Sequence, residues 1–406
     1  MAGIVALTAA YVLSQFYRSF LAVLTPILSN ELGATNAQLS MASGAWFVVF
    51  ALMQFAVGIC LDRFGPRKTA SFLFGTCATA GALLLALAAT PWAIIVAMGL
   101  IGMGCSPVLM ASVFIFAKSY SPARLSVLTS WFIGLGLLGS MIGTSPLAAA
   151  AEWWGWRIVM VGFAASSLLI AASIFVFVKE PAREGARSGD GLLSGYRELF
   201  HLRALRFIIP MAVVATVPSQ AIRGLWAGPY LTDVYQADAI FIGQVTLFMA
   251  LALAIGSFVY GPLDTIFRTR KWIMVWGTVI NIAVLLWLTL VPSAPVLHMT
   301  AALIVVAFCG GSYGVLIAHG KAFMPPHLTG RGVTLLNFFS IGSVGLTQFV
   351  TGGIFSAVAV PENPEWGYQI LFLFFALMMM AGLLVYLFSK DAKPERQDFA
   401  TEAAKR

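Results

Sequence analysis

Ser14-Gln15-Phe16-Tyr17-Arg18 lies in the middle of the first long apolar run of this 406-residue chain. Ser219-Gln220-Ala221-Ile222-Arg223 lies in the middle of a later run, 223 − 18 = 205 residues downstream. An arginine within hydrocarbon-facing sequence costs about 2.5–3.5 kcal/mol on the insertion scale. Two of them at equivalent places of two halves form a matched feature. The rest of the chain reads as the scaffold that holds this pair of cations near a membrane midplane.

Composition supports that reading. Only 10% of residues are charged and 60% are hydrophobic, with a mean hydropathy of +0.91. A soluble domain carries about 25% charged residues, so the chain is a polytopic membrane protein. Its four cysteines, Cys60, Cys77, Cys105 and Cys309, lie in or at the ends of apolar runs without CxxC spacing. They predict buried apolar side chains rather than disulfides or a zinc site. Arg18 interrupts the first run and no small-residue cleavage site follows, which argues against a cleavable signal peptide.

The apolar runs predict about twelve helices, at 4–29, 38–61, 69–88, 92–117, 125–150, 157–178, 207–231, 240–263, 272–291, 296–320, 331–357 and 366–388. Turn signals such as Gly65-Pro66, Thr90-Pro91 and Pro325-Pro326 separate them. Arg63, Arg67, Lys68, Lys118, Arg124, Arg268, Arg270, Lys271, Lys321 and Arg331 fall in alternate loops. By the positive-inside rule those loops, and both termini, are cytoplasmic. The predicted fold is an all-α membrane protein of two pseudo-symmetric six-helix bundles, 1–178 and 207–390. A cytoplasmic linker, 179–206, joins them, and a polar tail, 391–406, follows. Within the linker, Tyr196 to Arg206 is expected to form an amphipathic surface helix with Tyr196, Leu199 and Phe200 toward lipid.

The halves repeat each other. Pro26 corresponds to Pro229, Asp62 to Asp264, Lys68 to Lys271, and Arg124 to Arg331. The offset stays within roughly 202–207, as expected for a parallel repeat about an axis along the membrane normal. Helices one and seven, with their arginines, then face each other across a central cavity.

Gly58-Ile59-Cys60-Leu61-Asp62-Arg63-Phe64-Gly65-Pro66-Arg67-Lys68 resembles the loop 2–3 signature of the major facilitator superfamily. Asp264 to Lys271 resembles its degraded second copy, and Trp156-Arg157 and Lys179-Glu180 also fit. The resemblance covers the chain apart from its tail. It implies a secondary transporter with rocker-switch alternating access, in which Gly58, Asp62, Arg63, Gly65, Arg67 and Lys68 serve gating. Tyr17-Arg18, Ala22, Pro26 and Arg223 further resemble the organophosphate and organic-anion antiporter branch, although Ser126 to Leu147 lacks the histidine of that branch.

The residues themselves point to an anion. A guanidinium offers a rigid fork for carboxylate, sulfonate or phosphate oxygens. All 16 Asp and Glu fall in predicted loops, helix ends or the tail, so a small anionic substrate would supply the missing charge. The other reading has the arginines bonded to helix-end carbonyls and water, with a neutral or amphipathic solute (a vitamin or drug) or copper as cargo. Gln15 and Gln220 sit one turn from the arginines and share their faces. Tyr17, Trp131, Trp226, Tyr313 and Asn337 complete the candidate substrate site, and His319 is a candidate proton relay. Trp46 reads as either a cavity residue or an interfacial anchor. Met98, Met103 and Met110 beside Cys105 carry the copper alternative. No metal site, cofactor, nucleic acid or enzymatic chemistry is expected. The partners are substrate and lipid, and the expected setting is a monomer in a bacterial inner membrane.

Overall fold

The structure, a computed structural model, describes residues 2–119, 132, 134–180, 194–325, 328–360 and 363–392. Among the described residues, eleven helices are long and apolar enough to cross a membrane. The pair Ala2–Phe16 and Leu21–Leu32, bent by 52°, brings the crossings to as many as twelve. We number that pair α1. Spans α2 to α12 are Asn36–Leu61, Pro66–Ala86, Pro91–Phe116, Gly134–Trp154, Trp156–Phe177, Arg203–Tyr235, Ala239–Asp264, Lys271–Leu290, Val296–Lys321, Gly332–Val358 and Pro364–Tyr386.

Local chemistry sets the boundaries. Gly33, at φ 63°, closes α1 in the left-handed conformation that costs glycine least. Thr35 and Gln38 then form a reciprocal capping box that opens α2. Proline occupies the first turn of α3, α4 and α12, where its missing N–H leaves no bond unmade. Asp238 caps α8 by accepting from the Phe241 amide at 2.8 Å.

The repeat is visible in the packing. In the first six spans α1 lies on α6, α2 on α4, and α3 on both α4 and α6. In the last six, α7 lies on α12, α8 on α10, and α9 on both α10 and α12. Every pairing is reproduced six spans later.

The two sets meet along glycine seams, since small residues let backbones approach closely where no hydrophobic drive holds helices together. A Cβ on Gly345 of α11 would lie 2.9 Å from the Gly44 carbonyl of α2. One on Gly243 of α8 would lie 3.0 Å from Ser145 Cα of α5. A third contact joins α1 to α7, where a Cβ on Gly228 would overlap the Ala22 carbonyl oxygen. Pro26, four residues on, has no N–H to engage that carbonyl.

Gly3 meets the Phe177 and Val178 backbone, at the end of α6, and Lys271, opening α9, reaches the Leu387 and Ser389 carbonyls, after α12. We call this the terminal end of the bundle. The Gly228 and Gly243 contacts lie toward the opposite end, where Asn36 Nδ2, opening α2, donates to Asp233 Oδ2 on α7 at 3.3 Å.

Two expectations are corrected. Helix seven starts at Arg203, not 207, so the linker is shorter than expected. The surface helix, Ser194–His201, turns Leu199 into the protein, fully buried, while Phe200 is 45% exposed and meets Phe339 of α11. It is a packed element rather than a lipid-facing one.

Candidate functional site

Both arginines lie where their helices are irregular. In α1 the turn tightens at Tyr17 to Phe20, with Arg18 N bonded to Gln15 O at 3.3 Å and Ser19 N to Phe16 O at 3.0 Å. The Ser19 hydroxyl is 3.3 Å from Gln15 O and 3.4 Å from Ser140 O of α5, which ties the bend to its neighbour. In α7 Pro218 opens the short segment Val217–Ala221, and Arg223 sits in the π-turn Ile222–Trp226 that follows. Mid-helix irregularities of this kind concentrate at functional sites.

The Arg18 guanidinium lies 5.0 Å from the Trp46 ring centre and 5.4 Å from that of Phe50, both on α2. Its Nε is buried without a hydrogen-bond partner among the described residues. Arg223 is only 2% exposed. Its Nη2 donates to Gln220 Oε1 at 3.3 Å, whereas Nε and Nη1 are buried without partners among the described residues. A Cβ on Gly224 would lie 3.5 Å from the Arg18 carbonyl oxygen, so the two arginine-bearing turns face each other.

The ion pairs seen among the described residues lie elsewhere: Arg67–Glu180, Arg157–Glu31 and Arg270–Asp264. Glu31 is taken up by Arg157 and Trp156, and Asp233 by Tyr368 and Asn36. Neither carboxylate bonds the arginines. A buried cation without a paired acid carries a desolvation penalty of several kcal/mol that an ion pair would otherwise offset.

The remaining candidates divide. Gln15 donates to the Tyr11 hydroxyl at 2.9 Å, one turn further down α1, and Tyr11 stacks on Phe132. The Tyr313 hydroxyl donates to Asn337 Oδ1 at 2.7 Å, joining α10 to α11. Tyr17 turns the other way: it is fully buried, its hydroxyl 3.0 Å from that of Ser167 on α6. Trp226 donates to Thr351 Oγ1 at 3.1 Å and packs on Phe355, as a brace between α7 and α11. Trp131 lies outside the described residues. Sequence reasoning missed Tyr11 and Phe50 and left Trp46 between two roles. Trp46 and Phe50, at i and i+4 beside an intramembrane arginine, were the available signal.

His319 is fully buried at the terminal end. A carbonyl can only accept, so Nε2 donates to Lys390 O at 2.9 Å, and in the neutral ring Nδ1 accepts from the Tyr386 hydroxyl at 2.7 Å. Beside it, Asp391 accepts from Thr269 at 2.6 Å and from the Arg270 and Lys271 amides. Partial burial pushes Asp391 up, but those hydrogen bonds outweigh it and hold the carboxyl below its ordinary value.

In the α2–α3 loop, Gly65 has φ 85° and is pressed against the Glu180 carboxylate. Arg67 Nε lies 3.5 Å from Glu180 Oε2, and Arg63 and Lys68 are exposed. The Asp62 side chain lies outside the described residues, and Gly58 faces open space. The methionines of the copper reading do not converge. Met103 meets the Cys77 thiol at 3.6 Å, Met98 is buried, and Met110 is 36% exposed.

A family model described as Major Facilitator Superfamily matches residues 7–225, more than half of the chain. The chain belongs to the Major Facilitator Superfamily. No curated protein matches it in sequence. Among solved structures it is similar to a bacterial homolog of the human lysosomal transporter Spinster in an inward-facing, occupied conformation. That likeness has a TM-score of 0.78 and 20% identity over 95% of this chain and 96% of the other. It is also similar to a D-xylose–proton symporter, with a TM-score of 0.76 and 14% identity over 96% and 98% of the two chains. The nucleoside transporter NupG gives 0.73 and 15% over 95% and 99%. At these identities the likeness establishes the superfamily fold of this multi-pass membrane protein.

Proposed function

We propose that this superfamily member is a secondary active transporter of a small organic anion (a carboxylate, sulfonate or phosphate ester), clamped between Arg18 and Arg223. The observation that carries the reading is the set of orphaned donors. Arg18 Nε and Arg223 Nε and Nη1 are buried, donor-only and unpartnered, and neither guanidinium has a carboxylate beside it among the described residues. Buried polar groups are normally satisfied, and groups of one kind left open at opposed helix breaks define the ligand by complement. An acceptor-rich anion fits; a cation or a metal ion does not.

The clamp joins the two six-helix bundles, so their rocking would expose it to alternate sides of the membrane. The contacts at Gly228, Gly243 and Asn36–Asp233 then form the closed gate of this state. With basic loops and both termini cytoplasmic, that gate faces away from the cytoplasm. The Gly58 to Lys68 loop works at the other gate. The protein acts as a monomeric antiporter or symporter in a bacterial inner membrane and performs no enzymatic chemistry.

The test is thermal stabilisation of the purified protein across a panel of carboxylates, sulfonates, phosphate esters, amines, vitamins and Cu(I). A ligand at 100 times its Kd stabilises by about 2.7 kcal/mol. An anion should raise the unfolding temperature of the wild type and leave folded Arg18→Ala and Arg223→Ala unmoved. Equal responses from the variants, or a response only to neutral or metal ligands, would refute the reading.

A further inference from the structure

We infer that Trp46 and Phe50 form an aromatic cradle that positions the Arg18 guanidinium and takes the place of the acid that a buried arginine ordinarily requires. The inference rests on the anion reading above and adds positioning residues to it.

The two rings are stacked, with centroids 5.0 Å apart and planes 15° from parallel. The Arg18 guanidinium lies within 5.4 Å of both centres. Trp46 is fully buried and Phe50 is 4% exposed, so the ring side of this contact is desolvated, the condition that strengthens a cation–π contact. The cradle is held from both sides. A Cβ on Gly102 of α4 would overlap the Trp46 carbonyl, and one on Gly345 of α11 would lie 2.8 Å from Val48 N. Side chains at 102 and 345 would push α2 away, so the glycines fix the rings where Arg18 meets them.

The choice of partner has a consequence for charge. A carboxylate would saturate the guanidinium fork and cancel its charge before any substrate arrived. A ring attracts the cation through its quadrupole, donates no charge to neutralise it and accepts no in-plane hydrogen bond. Arg18 thereby keeps a full positive charge and an unpartnered Nε for the ligand. Arg223 is oriented by a different device, the neutral amide oxygen of Gln220. Both cations are therefore held by groups that leave their charge unspent.

A double-mutant cycle tests the cradle without any ligand, and a ligand arm follows. If the rings serve Arg18, Trp46→Leu lowers the unfolding temperature, and in an Arg18→Leu background that loss falls to less than about half, because the interacting pair is already broken. Trp46→Phe should keep most of the wild-type behaviour. In the ligand arm, with succinate, benzenesulfonate and phenyl phosphate as probes, Trp46→Leu and Phe50→Leu should weaken the binding probe by about tenfold, and Trp46→Phe and Phe50→Tyr by about threefold or less. Additive losses in the cycle would overturn the cradle, as would undiminished affinity in Trp46→Leu. A non-additive cycle with anion binding unchanged in Arg18→Ala would leave the cradle standing and refute the clamp instead.

Discussion

The Ala22 carbonyl oxygen of α1 lies where a Cβ on Gly228 of α7 would stand. Two arginine-bearing helices from opposite halves thus touch backbone to backbone, just beyond the arginines. Contact this close holds only while the two halves are together at that end. Gly228→Ala should disfavour this arrangement by about 1–3 kcal/mol, the usual cost of overpacking. Spin labels on Asn30→Cys and Thr232→Cys should report a longer separation in that variant. Gly353→Ala, where a Cβ meets nothing within 4 Å, should leave the distance unchanged.

Asp233 fastens the two halves at the same end. Its Oδ2 accepts from Asn36 of α2 and from the Tyr368 hydroxyl of α12, and Tyr368 is 1% exposed. Asn36→Ala removes only the bond across the seam, worth about 0.5–1.5 kcal/mol. Asp233→Leu also strands the buried Tyr368 hydroxyl, which costs about 1–3 kcal/mol more. Both variants should lengthen the same label distance, Asp233→Leu further.

Asp391 predicts a pH dependence. Its carboxyl is held below the ordinary aspartate value in the folded protein by Thr269 and two backbone amides, despite partial burial. A depressed folded pKa contributes stability that is present above the unfolded value, about 3.9, and is lost as pH falls through the folded value. The wild type should therefore lose unfolding temperature more steeply below about pH 4 than Asp391→Asn does. Parallel profiles would contradict the assignment.

Gly139 of α5 is pressed on α1, where a Cβ would overlap the Val12 carbonyl. Gly139→Ala should destabilise the protein by about 1–3 kcal/mol, read as a lower unfolding temperature. Gly314→Ala, in open surroundings on α10, is the matched control.

Much of the architecture was legible in the chain because apolar length and backbone satisfaction admit few solutions in a bilayer. The Ser-Gln-x-x-Arg repeat pointed to the duplication, and the pairing of α1 with α6 and α7 with α12 reproduces it. Helix breaks were less legible. Pro218 signals the one in α7, whereas the turn at Tyr17 to Phe20 contains no proline or glycine and depends on Ser19 bonding across to α5. Side-chain direction was the least legible. Tyr17 and Arg18 are neighbours, yet one reaches Ser167 and the other Trp46, because successive helical residues point about 100° apart. Trp46 stayed between a cavity role and an interfacial one because nothing local shows how deep α2 is set; depth comes from the glycines of α4 and α11 that flank it.

The clamp proposed for Arg18 and Arg223 places both guanidinium groups on the transported anion. Its most direct test is exchange of the radiolabelled anion identified by binding, in liposomes carrying wild type, Arg18→Ala or Arg223→Ala. A clamp gives saturable exchange by the wild type and loss of at least about 100-fold in either variant, the scale of removing one charge-assisted contact of roughly 3 kcal/mol. Wild-type rates in both variants, or exchange of only a neutral solute, would contradict it.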